Sequence, residues 1–369
     1  MNPVIKSALY LITALLVLTG CSEERTPPSV NILEALSQGT EPDCFKRADP
    51  ATELRFPDDF GAHDNYRTEW WYYTGNLFAE SGRHFGYQLT FFRQALSCGE
   101  PLDTNGWQTR QIFFAHFALT DTQSNKFHSF DRMNRESLMI AGAQAVPFRV
   151  WIDDWETREN ANSVSLSARQ DGVHLALKLT ASKPILLQGR NGFSPKGQDP
   201  SNASHYYSIP RWATDGRIRI DGESFMVKGT SWFDHEWSTS ALSDDVVGWD
   251  WFAIHLDDGT DIMVCQVRQK DGTANGYSFG AISDPDASQN ILGNDDFKIR
   301  ATRFWTSPVT GKTYPSQWVI DIPTSDMRLE VVPVINAQEH HHRFTYWEGA
   351  VTVTGHQNPG MGYMELTGY

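Results

Sequence analysis

The chain has 369 residues, 40% hydrophobic and 12% aromatic, enough to bury one large core or two ordinary ones. Its 13 Trp, 12 Tyr and 21 Phe exclude a chain disordered throughout. A formal charge of -14, with 45 Asp and Glu against 31 Lys and Arg and no long basic run, excludes a protein that grips phosphate backbones, so nucleic acid is not an expected partner.

At the N-terminus, Lys6 precedes an apolar stretch from Ala8 to Leu18. That stretch is too short for a stable bilayer-spanning helix and has the flanks of a signal peptide. It ends in Leu18-Thr19-Gly20-Cys21, which resembles a bacterial lipobox. Residues 1–20 are therefore expected to be a lipoprotein signal peptide, with Cys21 acylated as the mature first residue. Residues 21–49, containing Pro27-Pro28, read as a tether, and Ser22 after Cys21 suits delivery to the outer membrane. The expected location is the periplasmic side of the envelope, on a lipid anchor. Of the other cysteines, Cys265 sits in a probable buried strand and reads as an inert core thiol. Cys44 and Cys98 lie in polar, turn-rich surroundings, where pairing and separation are both open.

Beyond residue 50 there is no sustained helical periodicity. Short aromatic and β-branched runs recur instead, broken by Gly, Asp and Asn: Glu69–Leu77, His84–Arg93, Gln111–Thr120, Val173–Thr180, Ser224–Gly229, Trp249–Leu256, Ile262–Val267, Gln317–Ile322 and Ala350–Thr354. Many short strands with turn signals between them predict an all-β protein with few helices. Asp257-Asp258-Gly259 reads as a hairpin turn. An approximate repeat aligns Trp70-Trp-Tyr-Tyr-Thr-Gly-Asn-Leu77 with Trp249-Asp-Trp-Phe-Ala-Ile-His-Leu256. It predicts two consecutive antiparallel barrels, residues 50–238 and 239–369.

The chain lacks a G-x-S-x-G elbow, an H-E-x-x-H pair, a Walker loop and a dinucleotide fingerprint. Three clusters carry titratable chemistry. In Trp232-Phe-Asp-His-Glu-Trp237, strand alternation puts Asp234 and Glu236 on one face and Phe233, His235 and Trp237 on the other. A histidine desolvated among aromatics and oriented by an acid suits general acid–base work, or a structural hydrogen bond in a barrel wall. The second cluster, His63 to Tyr73, holds Arg67, Glu69, Trp70 and Tyr72; Arg67 is placed to pair with Glu69 or Glu236, and the cluster reads as a packed strand entry with a buried ion pair or as part of a ligand site. In the third, Asp250 lies between Trp249 and Trp251, where it either points to solvent or has apolar surroundings that would keep its carboxyl group protonated. His340-His341-His342 reads as a solvated loop, since adjacent residues of an extended chain point to opposite faces. No metal site and no cofactor are expected.

The run His63…Arg67-Thr-Glu-Trp-Trp-Tyr-Tyr-Thr-Gly-Asn-Leu77, then Tyr206-Tyr-Ser-Ile-Pro-Arg211, Gly229-Thr-Ser-Trp-Phe-Asp-His-Glu-Trp237 and the ending Gly360–Tyr369 resemble the AttH/CrtC family. That family includes carotenoid 1,2-hydratases (hydroxyneurosporene synthases) and secreted proteins labelled hydrolases. The resemblance runs from about residue 55 to the C-terminus and implies two lipocalin-like barrels. In the hydratases acid–base chemistry is attributed to the His and Trp of Asp-His-Glu-Trp, which match His235 and Trp237, with a Tyr and an Asp further on. Asp250 is the candidate for that Asp, though its flanks are indoles. The lipoprotein tether is more similar to the AttH branch, some of whose members accompany ABC-type export systems.

Two functions are therefore expected. In one, an enzyme binds an apolar isoprenoid- or polyketide-like molecule at the junction of the barrels and adds water or isomerises it. His235 (as imidazolium), Trp237, Asp250, Asp234 and Glu236 would be catalytic; His63, Arg67, Glu69, Trp70, Tyr72, Trp249 and Trp251 would hold the ligand. In the other, the barrels carry that molecule unchanged to or from an ABC transporter.

Overall fold

The computed structural model describes residues 44–98, 109–239, 245–355 and 357–369. The expected signal peptide, Cys21 and most of the expected tether lie outside them. The described chain is nearly all β, with helical turns confined to Asp58–Phe60, Ser137–Met139 and Pro323–Ser325. Among the described residues a 13-stranded sheet runs from Thr68 to Ser238 and a 10-stranded sheet from Val246 to Leu366. Both curl into lipocalin-like barrels, as the resemblance to the AttH/CrtC family implies. A disulfide joins Cys44 to Cys98, whose Cα atoms are 6.1 Å apart, and Cys265 is a buried free thiol.

Every strand run read from the sequence falls within an observed strand. The repeat has a topological counterpart. Thr68–Ala79 pairs with the next strand, His84–Ala95, and with the last of its sheet, Glu223–Ser238. Val246–Leu256 likewise pairs with Asp261–Gln269 and with the last strand, Gly360–Leu366. The hairpin between Leu256 and Asp261 turns through Gly259, whose φ of +95° favours a residue without Cβ. The sequence pattern misses Lys126–Arg135 and Lys298–Thr306, polar strands at sheet edges whose side chains are largely in contact with solvent. It also misses the long strand Ala203–Ile220, which Pro210 interrupts; its register with Glu223–Ser238 slips between Ile209 and Trp212.

The strands richest in aromatics are buried on both faces. Trp71, Tyr73, Phe91, Phe113, Tyr207, Phe233 and Trp237 fill the first barrel. Phe252, Ile254, Trp318, Trp347 and Val351 fill the second. The alternate residues, Tyr72, Tyr206, Trp232, Trp251, Ala253 and Met263, pack the two sheets against each other, as do Phe92, Phe114, Phe344 and Tyr346. Two-sided burial explains why these strands read as unbroken apolar runs. The sheets approach so closely at Gly86 that a Cβ there would lie 2.5 Å from the Ala350 Cβ.

An ionic latch closes one edge of this junction. Asp261, on the second sheet, is buried and takes Arg211 at 2.8 Å and Lys183 at 2.9 Å, both from the first unit. Its other close partner is His255, at 2.6 Å. Asp261→Ala removes one carboxylate and leaves a buried lysine and a part-buried arginine without it, so a loss of about 3–5 kcal/mol is expected in urea unfolding. A loss under about 1 kcal/mol would show that both cations reach solvent and that the latch contributes little.

Candidate functional site

Two clusters of ionisable groups lie on opposite faces of the wall formed by Thr68–Ala79 and Glu223–Ser238. Register brings the first together inside the barrel. His235 lies across from Trp71 on one side and Tyr207 on the other, and Glu69 lies across from Arg93. Glu69 is fully buried. Its Oε2 accepts from Arg93 Nε at 2.7 Å and from the His63 backbone N–H at 2.9 Å. Its Oε1 lies 2.6 Å from His63 Nδ1 and 2.9 Å from His235 Nε2. The outer ring nitrogens also have oxygen partners: Asp59 Oδ1 at 3.0 Å from His63 Nε2, and the Tyr207 hydroxyl at 3.0 Å from His235 Nδ1. The His63 ring stacks on Trp237 at 3.7 Å.

The charges here are set by pairing. Burial opposes ionisation of Glu69, but Arg93, His63 and His235 outweigh it and hold the carboxyl well below its usual range. His63 is pushed up to about 9 by Glu69 and Asp59 against its own desolvation. His235 is lowered to about 4, chiefly by burial, so it is neutral at pH 7. Burial therefore works against the imidazolium role expected for His235. Its hydrogen-bonding needs are met inside the barrel wall.

The second cluster fills the junction, and there carboxyl groups lose charge. From the first sheet, Asp234 accepts hydrogen bonds from Tyr206, Ser208 and Trp232. Burial pushes it up to about 7, with Glu236 adding to the rise. Glu236 itself has Lys196 Nζ at 3.0 Å. From the second sheet, Glu365 accepts from Trp249 Nε1 at 2.9 Å and is pushed up to about 8 by burial and by Asp234 and Glu236. Glu348 is raised well above the carboxylate range by burial and by Glu365. One of its oxygens accepts from the Tyr72 hydroxyl. The other, Oε2, has no hydrogen-bond partner and faces His340 Nε2, also unpartnered, at 4.0 Å. Burial drives His340 well below its usual value, with His116 and its two histidine neighbours adding to the fall. Around this pair, Thr74 Oγ1, Gln88 Oε1 and the Tyr363 hydroxyl likewise lack partners.

The expected site residues thus divide. His235, Trp237, His63 and Glu69 belong to the barrel interior; Asp234, Glu236, Trp70, Tyr72, Trp249 and Trp251 belong to the junction. Asp250 belongs to neither. It shares the parity of Phe252 and Ile254 and is held by Arg268 at 3.1 Å and Tyr369 at 2.8 Å. His235 and Asp250 therefore face different interiors and cannot act on one substrate. Glu69 takes Arg93, and Glu236 takes Lys196, in place of the expected Arg67, because Arg93 sits directly opposite Glu69 in register. His340 is not a solvated residue: it is buried, with its ring stacked on Tyr346 at 4.7 Å. Sequence reasoning missed Glu348 and Glu365. Each sits among the aromatic and small residues of a strand buried on both faces, and that was the available signal.

A family model described as AttH-like matches residues 47–369. The crystal structure of an AttH protein from Nitrosomonas europaea superposes with a TM-score of 0.80 at 35% identity, covering 88% of this chain and 100% of that one. Kievitone hydratase from Nectria haematococca superposes with a TM-score of 0.62 at 15% identity, covering 90% and 96%. A curated relative from Emericella nidulans, the dehydratase asqC, is 20% identical over 225 residues, 57% of this chain. The match spans 62% of that relative's length. The fold is therefore one that a hydratase also adopts.

The raised acids give the junction a pH signature. Asp234 and Glu365 start from 3.8 and 4.5, so their contribution to stability is whole below about pH 4 and is lost as pH rises through about 7 and 8. Calorimetric Tm is expected to fall over that interval, and Asp234→Asn, with no proton to lose, to flatten part of the fall. An unchanged slope in the variant would mean that Asp234 is already ionised in the folded protein.

Proposed function

This chain belongs to the AttH-like family, and we propose that it is an envelope enzyme that adds water to, or removes it from, an apolar unsaturated molecule held at the junction of its barrels. The observation that carries this reading is the pairing of Glu348 with His340. A carboxylic acid kept protonated and an imidazole kept neutral stand 4.0 Å apart, each with an unpartnered atom facing the other. Environments that drive two neighbouring groups in opposite directions assign the acid and the base.

In the elimination direction, His340 Nε2 takes a proton from carbon while Glu348 Oε2 gives its proton to the departing hydroxyl. The C–H and C–O bonds break, a C=C bond forms and water leaves. Proton return from the imidazolium to the carboxylate, directly or through one water, resets the pair. Hydration is the same path reversed. Tyr72, bonded to the other oxygen of Glu348, holds the acid in place. Thr74, Gln88 and Tyr363 offer free polar atoms to a hydroxyl or carbonyl of the substrate. The indoles of Trp232 and Trp251 supply an apolar wall, and their faces suit a developing carbocation. The hydratase and dehydratase names of the similar proteins agree with this chemistry. Acylation of Cys21 would hold the enzyme on the periplasmic face of the envelope, within reach of lipid-soluble substrate and of an ABC-type exporter.

The test uses protein purified from its native envelope, as wild type and as Glu348→Gln, incubated in D2O and extracted for mass spectrometry. Wild type is expected to yield a bound molecule carrying deuterium at carbon. The variant should yield one that differs by a single water and carries none. The same undeuterated molecule from both would replace the enzyme with a carrier.

A further inference from the structure

The cluster inside the first barrel is fully hydrogen-bonded, and the proposed chemistry does not use it. Three of its atoms, His63 Nδ1, Glu69 Oε1 and His235 Nε2, lie within 4.8 Å of one another. We propose that these three residues form a binding site for a divalent transition-metal ion of the zinc class.

Donor chemistry points this way first. Two imidazoles and one carboxylate are a borderline donor set that selects zinc-type ions over magnesium and calcium, and they leave a further position for water or a small ligand. The second shell is also in place. Each histidine that binds a metal through one nitrogen presents N–H at the other, and here both outer nitrogens already face oxygen. His63 Nε2 meets Asp59 at 3.0 Å, and His235 Nδ1 meets the Tyr207 hydroxyl at 3.0 Å. Arg93, on the far oxygen of Glu69, orients the carboxylate and leaves Oε1 for the ion.

The fit asks for a small movement. Two ligands at about 2.1 Å from one ion stand roughly 3.0–3.4 Å apart, against the 2.6 and 2.9 Å found here. His63 can provide most of that opening, because it precedes the first strand. Its side chain is 15% exposed and that of Asp59 is 20%, which gives an ion a way in. A cavity of about 250 Å³ lies alongside, lined by Ala62, Asp64 and Gln111, and Gln111 is itself bonded to Arg93.

The experiment takes the folded protein stripped with EDTA, adds Zn²⁺ under a competing chromophoric chelator, and repeats with Co²⁺ for its visible spectrum. One ion per chain is expected, with no competition from Mg²⁺. Tyr207→Phe, which keeps the ring but loses the hydroxyl, should weaken binding by about 10–100-fold, and His63→Ala, outside the strands, should abolish it. A double variant, His341→Ala with His342→Ala, controls for zinc on surface histidines and should bind as wild type does. Stoichiometry near zero, or binding lost in that control but kept in His63→Ala, would overturn the site. Chelation should leave deuterium incorporation at the junction intact, so failure of this site and failure of the proposed reaction are separate results.

Discussion

Two barrels that pack through the outer faces of their central strands leave almost no side chain of residues 69–77 and 231–238 in water. Each ionisable group there must find an opposite charge, find hydrogen bonds, or give up its own charge. The whole arrangement of polar residues follows from that constraint. Thr68–Ala79 and Glu223–Ser238 are the shared wall, with the first barrel's core on one side and the junction on the other.

The two sides meet the constraint in opposite ways. Inside the barrel, Glu69 keeps its charge because Arg93 stands across from it and two histidines share its oxygen. At the junction, Asp234, Glu236, Glu348 and Glu365 come from both sheets, and a single lysine pairs with Glu236. Burial, with repulsion between neighbouring acids added to it, then favours the neutral acid for Asp234, Glu348 and Glu365. A site that waits for something else is expected to resemble the junction, with Glu348, His340, Gln88, Thr74 and Tyr363 each holding an atom to which nothing is bonded.

Close approach of the sheets also ties chemistry to assembly. Glu348 is oriented by Tyr72 of the other sheet, and His340 stands near His116 of the other sheet, ring centroids 5.6 Å apart. Asp261, gripped by Arg211 beside the bulge at Pro210, closes one edge of the same junction. A half of the molecule would carry half of the surroundings of Glu348 and His340.

The sequence by itself determined the class of fold. Short aromatic and β-branched runs, turn residues and the repeat of Trp70–Leu77 at Trp249–Leu256 depend only on neighbours along the chain, and local sterics enforce them. It also assigned the faces of Trp232–Trp237 correctly, because alternation fixes which residues share a side. It did not say what lay beyond each face. His235 and Asp250 looked like partners because both sit among aromatics, yet parity sends one into the first barrel and the other into the second. His340 looked solvated because a run of histidines is polar, yet Tyr346 and His116 bury it. Glu348 drew no attention as one acid among 45 Asp and Glu. Its protonation depends on Glu365 across the sheet and on Tyr72 across the junction, 276 residues away in the chain. Desolvation and charge coupling act through space, so only the tertiary structure decided which acids are paired, which are neutral, and which stand together.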